Sequence, residues 1–400
     1  MSAARRWPLH PQPAPLEALS SWLNRLAHLY EMPVTDLLKH NLGLVDLAVP
    51  ADLDVDPPLS MLTALVERTG VPLVRLRSMT LGGWVPWLFD MLPVPLQDAQ
   101  AVFDTYVRDN SVLFARSVGT HHVLRYKQGW AGPWLLGYPA ALRACPLCAA
   151  DPERGTDLVW RLALVSSCAE HRCRLRDASE VRATVVLGRD IHPEPLEGPR
   201  AALDRYTYQA LTAGRVALPG RTVHAGVWFR LLRALLDEVS LAASTQTAHG
   251  KDVLQQIWQE TGHPERAGLN VWRPYEHLGD EVREAMLDAA ATALQLAADG
   301  LITARGRLAS ALQAPLHDYV YDGDEPPPFR NAWQAAMAAW EEALTQARTD
   351  PVTARQLLGM LTGGCRTLAA FEQERSSLCG QGIPVGFLPS ARELGRHDLI

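Results

Sequence analysis

A surplus of positive charge is the first thing this sequence lacks. Its 400 residues carry 38 Lys and Arg against 44 Asp and Glu, a formal net charge of −6. That balance excludes a chain that coats nucleic acid without selectivity, so any contact with DNA has to come from a local patch. Lysine is almost missing too: only Lys39, Lys127 and Lys251 occur, and arginine supplies the rest of the basic set. Arginine offers a planar fork for phosphates and guanine edges, although GC-rich coding is the simpler cause of the bias. No apolar run approaches the ~18 residues of a membrane span and no signal-peptide pattern opens the chain, which points to a cytoplasmic protein with no membrane partner. Catalytic signatures are missing as well: there is no P-loop, no dinucleotide-binding glycine fingerprint, no HExxH and no GxSxG. Carboxylates are scattered, and none pair at a spacing that marks the acidic triad of a transposase. These absences predict a binding protein and not an enzyme.

What the chain does contain is 48% hydrophobic residues, ample for buried cores, over a length that suggests about two or three domains. Among its six cysteines, Cys145 and Cys148 form the pair CPLC, and Cys168 with His171 forms CAEH, with nineteen residues between the pairs. Thiolates with one imidazole suit tetrahedral Zn²⁺, and two-residue spacers let each pair chelate from a tight turn. Four protein ligands leave no open position. The spacing therefore predicts one structural Zn²⁺ that folds a small module, and argues against a metallohydrolase. Cys173 lies near enough in sequence to replace His171 as fourth ligand, and that choice stays open. Cys365 and Cys379 read as buried free thiols.

The residues around these ligands also resemble a known family. The stretch RACPLCAADPERGTDLVWRLALVSSCAEHRCRL, residues 143 to 175, is similar to the diagnostic segment of the TniQ/TnsD family of transposon target-selection proteins. In that family a CPxC pair precedes a variable acidic loop, a Trp-Arg-Leu strand, an apolar run and a second Cys-x-x-His pair; Trp160, Arg161 and Leu162 fill the middle element here. PLEALSSWLNRLAHLYEMPVTDLLKH, residues 15 to 40, resembles the family's opening helices. The likeness is close over the first half of the chain and loose over the second. Many members carry a second CxxC-type cluster, which is not visible here, so a second zinc site stays open. The resemblance implies a non-catalytic adaptor that joins target DNA, or a target-recognition complex, to an AAA+ transposition ATPase and the transposase machinery. Some relatives work as dimers, so a homodimer stays open. The runner-up reading is a zinc-ribbon transcription regulator that acts alone on DNA.

The expected fold is mainly α with a small zinc-ribbon module: N-terminal helix-turn-helix-like units, a central zinc finger and a C-terminal helical domain. Punctuation by Pro-rich and acidic segments divides the chain into 1–100, an N-terminal helical domain; 101–190, the zinc-binding module; 200–321, a helical domain; and 329–400, a helical region and tail. Leu19, Trp22, Leu23, Leu26 and Ala27 recur at helical spacing, and Met32-Pro33 breaks the pattern before a short helix capped by Thr35. A second unit starts at a Ser60 cap, ends at Gly70 and leads into LVRLRSM. If either second helix enters a major groove, Lys39, His40 and Asn41, or Arg75 and Arg77, are its readers, although helical hairpins serve packing equally often.

Trp84, Trp87, Trp130, Trp134 and Tyr138 read as core, and His121-His122, pointing to opposite faces of a strand, are left without a role. LVWRLALVSS, residues 158 to 167, reads as a strand of a zinc ribbon. From Arg143 to Arg189 eight arginines face six acids, so the module is the best local candidate for phosphate contact, through Arg172, Arg174 and Arg176 on one face of an extended segment. Helices are expected from Trp228, from Glu281 and over 331–347, with an acidic linker at 322–328 and a patternless tail after Pro389.

Overall fold

A computed structural model of the chain describes residues 6–42, 53–88, 111–115, 142–151, 154–190, 192–270, 275, 278–313, 329–397 and 399. Among these residues the architecture is mainly helical, with thirteen α-helices and two small antiparallel two-stranded sheets. Trp130, Trp134, Tyr138, His121-His122 and the acidic linker lie outside the described residues. No helix of the described residues is long and apolar enough to cross a membrane.

The first helix, α1 (Leu19–Leu29), buries the face that its pattern marks: Leu19, Trp22, Leu23, Leu26 and Ala27. α2 (Val34–Asp36) runs on as a π-helical turn over Leu37–Asn41, then come α3 (Leu59–Thr69) and α4 (Leu73–Arg77). Gly70 ends α3 at φ 75°, a left-handed position that a side chain resists. The hydroxyl caps expected at Thr35 and Ser60 are not used. Both helices start two residues earlier, at Pro33 and Pro58, and α4 starts likewise at Pro72. Each proline carbonyl accepts the first intrahelical bond, from Leu37 (3.0 Å), Leu62 (3.2 Å) and Leu76 (3.1 Å). The proline ring holds φ near −60°, so each helix begins from that residue's carbonyl and carries no side-chain cap.

Packing gathers the described residues into three hydrophobic clusters. The first joins Trp7 to the helices as far as Met79. The second and largest runs from α5 (Leu81–Leu88) through the metal-ligand segment, leaving out α6 (Ala178–Val186), into α7 (Gly198–Ala213), α8 (Ala225–Val239), α9 (Ala248–Thr261) and α10 (Asp280–Ala298). It includes Trp84, with Trp87 packed against it. The expected helices from Trp228 and Glu281 are α8 and α10, and α8 is buried along its whole length, as a helix at the centre of a core must be. The third cluster lies within α11 (Phe329–Ala347), α12 (Pro351–Thr362) and α13 (Leu368–Gly380). Three arginines tie that bundle to the rest: Arg230 donates to the carbonyl of Cys379 (2.5 Å) and Arg307 to that of Gly380 (3.1 Å) at the end of α13, while Arg348, beside α11, donates to Gln381 O (2.9 Å) and to Arg307 O (3.1 Å). The tail after Pro389 packs too, with Ala391 buried and Arg396 donating to the carbonyls of Thr362 and Cys365.

Inside the large core, Glu238 on α8 accepts three backbone N–H groups, from Val112, Leu113 and Phe114 (3.0, 2.8 and 3.2 Å). Burial pushes its carboxyl up to about 7, against the downward pull of those amides. A raised carboxylate favours the folded state most below its ordinary value of 4.5, and that contribution declines as pH rises through about 7. Glu238→Gln has no proton to lose. Denaturant titrations at pH 5 and pH 8 are expected to show wild-type stability falling by roughly 2–3 kcal/mol more than that of the variant; parallel behaviour would contradict the assignment.

Candidate metal centre

The two ligand pairs are brought together by a minimal sheet. β1 (Arg143–Ala144), just before Cys145, pairs antiparallel with β2 (Arg176–Asp177), just after the second pair, with Arg143 opposite Asp177 and Ala144 opposite Arg176. The first knuckle closes when Ala149 N–H donates to the Cys145 carbonyl (3.0 Å) and Cys148 N–H donates to Cys145 Sγ (3.5 Å). The second closes when Cys168 N–H donates to Cys173 O and Arg172 N–H to Cys168 O, both at 2.9 Å, a turn that puts Arg172 at φ 51°. The segment between the pairs is not the expected strand. Leu158–Arg161 form a 3-10 turn, and every residue from Leu158 to Val165 is buried. A run buried on all sides has no alternation to read, so its composition could not separate strand from turn.

The donor atoms of Cys145, Cys148, Cys168 and His171 lie within 4.8 Å of one another, a group that could hold a metal ion. Cys148 Sγ is 3.8 Å from Cys168 Sγ, and His171 Nδ1 is 3.5, 3.3 and 3.7 Å from the sulfurs of Cys145, Cys148 and Cys168. Bond lengths at a tetrahedral zinc require S···S of roughly 3.8 Å and S···N of roughly 3.6 Å. The set fits. Without a cation the charges conflict: contact with Cys145 and Cys168, together with burial, pushes the Cys148 thiol far up, while contact with Cys145 and Cys148 holds Cys168 far below the usual thiol range. A divalent cation would let all three sulfurs be thiolates at once. Cys173, buried, stands 3.6 Å from Cys145 Sγ. His171 is the partly exposed member and lines a cavity of about 860 Å³ with Arg154, Arg172 and Arg205.

The centre is fastened to its surroundings on two sides. Toward α1, Leu158 N–H donates to Leu16 O (2.7 Å) and Ala18 N–H to Thr156 O (2.9 Å), while buried Glu17 takes Arg25 as an ion pair at 2.8 Å. Gly155 is required there, because a Cβ would stand 2.3 Å from Glu17 Oε1. Arg161 reaches Asp54 at 3.3 Å. Toward the helical core, Asp204 accepts from the Ser167 hydroxyl (2.6 Å), and Tyr208 donates to Ser167 O while accepting from Trp160 Nε1 (2.9 Å each). Reasoning from sequence missed Asp204, Tyr208 and Glu238, polar residues inside amphipathic or apolar runs whose partners are remote in sequence.

The residues predicted to contact DNA stand in different surroundings. Lys39, Arg77, Arg172 and Arg176 are exposed. Arg75 turns inward and donates to the carbonyls of Pro13 (3.4 Å) and Ala14 (2.5 Å). Arg174 is held by Glu194 (2.9 Å) and Glu284 (2.7 Å), and Arg172 sits in the left-handed turn, so the three arginines 172, 174 and 176 do not share an extended face. Of the module's remaining arginines, Arg143, Arg154 and Arg161 have internal partners, and counting charges overstated what a phosphate could reach.

No curated protein and no solved structure matches the chain. The TniQ family model matches residues 8–175, a span that holds the opening helices, both knuckles and the contacts between them. Residues 8–175 of this chain are a TniQ domain, a domain of proteins that take part in transposition.

Proposed function

We propose that the chain is a transposition target-selection adaptor, in which a TniQ domain folded around one structural Zn²⁺ links target DNA, or a complex that has recognised the target, to an AAA+ transposition ATPase and its transposase. The observation that carries this reading is the coincidence of the family match with a closed four-donor site that is bonded to the family's opening helices. Cys145, Cys148, Cys168 and His171 would hold the ion, whose chemistry is to pin two turns together. The chain's own residues do the rest: Arg143 organises the segment between the knuckles, and Leu16, Ala18 and Arg161 transmit its position to the N-terminal helices.

The inward bonding of Arg75 supports a packing or protein-docking role for the second helical unit over groove reading. Lys39, Arg77, Arg172 and Arg176 remain the exposed cations for direct DNA contact. A pull-down of the metal-loaded full chain against an AAA+ transposition ATPase, with and without target DNA, tests the adaptor. Retention of the ATPase is the expected result. No retention, together with tight, sequence-specific and salt-dependent DNA binding by the chain alone, would favour a stand-alone zinc-ribbon regulator.

A further inference from the structure

Beside the four-donor group stands a fifth sulfur, that of Cys173. Cys173 Sγ lies 3.6 Å from Cys145 Sγ, close to the roughly 3.8 Å that separates two sulfurs bound to one zinc. Its carbonyl is already fixed by Cys168 N–H, so its backbone belongs to the second knuckle. It pairs across an isolated bridge with Pro195, and its side chain is buried. His171 is the opposite case: it is the one partly exposed donor, and it stands at the edge of the 860 Å³ cavity, where the imidazole has room to swing away.

Resting on the zinc reading above, we propose that Cys173 is a reserve ligand, so that the centre alternates between three sulfurs with His171 and four sulfurs with Cys173, without releasing its metal. As His171 leaves, the bond to Nδ1 breaks and a bond to Cys173 Sγ forms; the thiol proton passes to the freed imidazole, so no proton is gained or lost overall. A thiolate is the softer donor, which favours Cys173 for zinc, whereas a fourth negative charge in a buried site favours His171. Arg154, which lines the same cavity and pairs with Asp157 and Glu170, places positive charge where the four-sulfur form needs it. Anything that engages His171 from the cavity would thus move a ligand and leave the TniQ domain folded.

The test compares wild type, His171→Ala, Cys173→Ala and the double variant of the full chain, by metal content and by the absorption spectrum of the Co²⁺-substituted protein. Wild type and Cys173→Ala are expected to hold one metal with a three-sulfur, one-nitrogen spectrum. His171→Ala should keep the metal with a red-shifted four-sulfur spectrum of stronger thiolate charge transfer, and the double variant should lose at least tenfold in affinity relative to it. A His171→Ala protein without metal, or one whose affinity and spectrum do not change on adding Cys173→Ala, overturns the proposal. Wild type without metal would instead defeat the zinc reading on which the proposal rests, so the two failures are distinguishable.

Discussion

Replacing Cys148 by serine is expected to remove the metal and most of the soluble protein together. A structural zinc in a small module contributes on the order of 10–16 kcal/mol of apparent binding free energy, against a total stability of about 5–15 kcal/mol for an ordinary domain. Few folds survive that subtraction. Here Cys148 also sits in the large core cluster with Leu158, Trp160 and Val165, so the damage spreads from the knuckle into the contacts with α7 and α10. Cys145→Ser should behave alike. Cys365→Ser is the matched control: that thiol packs against the third hydrophobic cluster and is no part of the donor group, so its variant should keep both metal and yield. Metal content and soluble yield, measured side by side, check this; retained zinc with unchanged stability in Cys148→Ser would sink the assignment of that ligand.

Arg143→Ala should be the most damaging change that touches no ligand. The Arg143 guanidinium donates to the carbonyls of Trp160 (3.0 Å), Leu162 and Val165, three buried acceptors on the segment between the knuckles. Leu162 O also accepts from Val165 N–H (3.2 Å), but the segment has little other regular structure to satisfy its backbone, and each orphaned buried carbonyl costs about 1–3 kcal/mol. A loss of roughly 3 kcal/mol or more is expected, with a fall in thermal midpoint and a weakened hold on metal. Arg143→Lys should not rescue it, because a single ammonium cannot span three acceptors that the planar fork reaches at once. Denaturant unfolding of the two variants measures this; an Arg143→Ala protein within about 0.5 kcal/mol of wild type would contradict the role, since that is the range of an ordinary surface substitution.

These two residues mark how far the sequence could be read. Cys145, Cys148, Cys168 and His171 were legible because ligand spacing follows from coordination geometry, which needs only nearby positions. α1, α8, α10 and α11 were legible because each shows a helical period. Arg143 was not, since nothing local separates an arginine that binds carbonyls seventeen residues away from one that waits for a phosphate. The same limit hid Asp204, Tyr208 and the pairing of Arg174 with Glu284, 110 residues distant. Thr35 and Ser60 failed as caps because a proline two residues upstream had already set the backbone.

The central claim is that one zinc, held by three sulfurs and one imidazole, keeps the TniQ domain folded. Zinc K-edge X-ray absorption on the purified full chain, with metal quantified on the same sample, tests it most directly. The account predicts about one zinc per chain, with three sulfurs near 2.3 Å and one nitrogen near 2.0–2.1 Å. A stably folded protein without stoichiometric metal, or a first shell of oxygen and nitrogen alone, would contradict it.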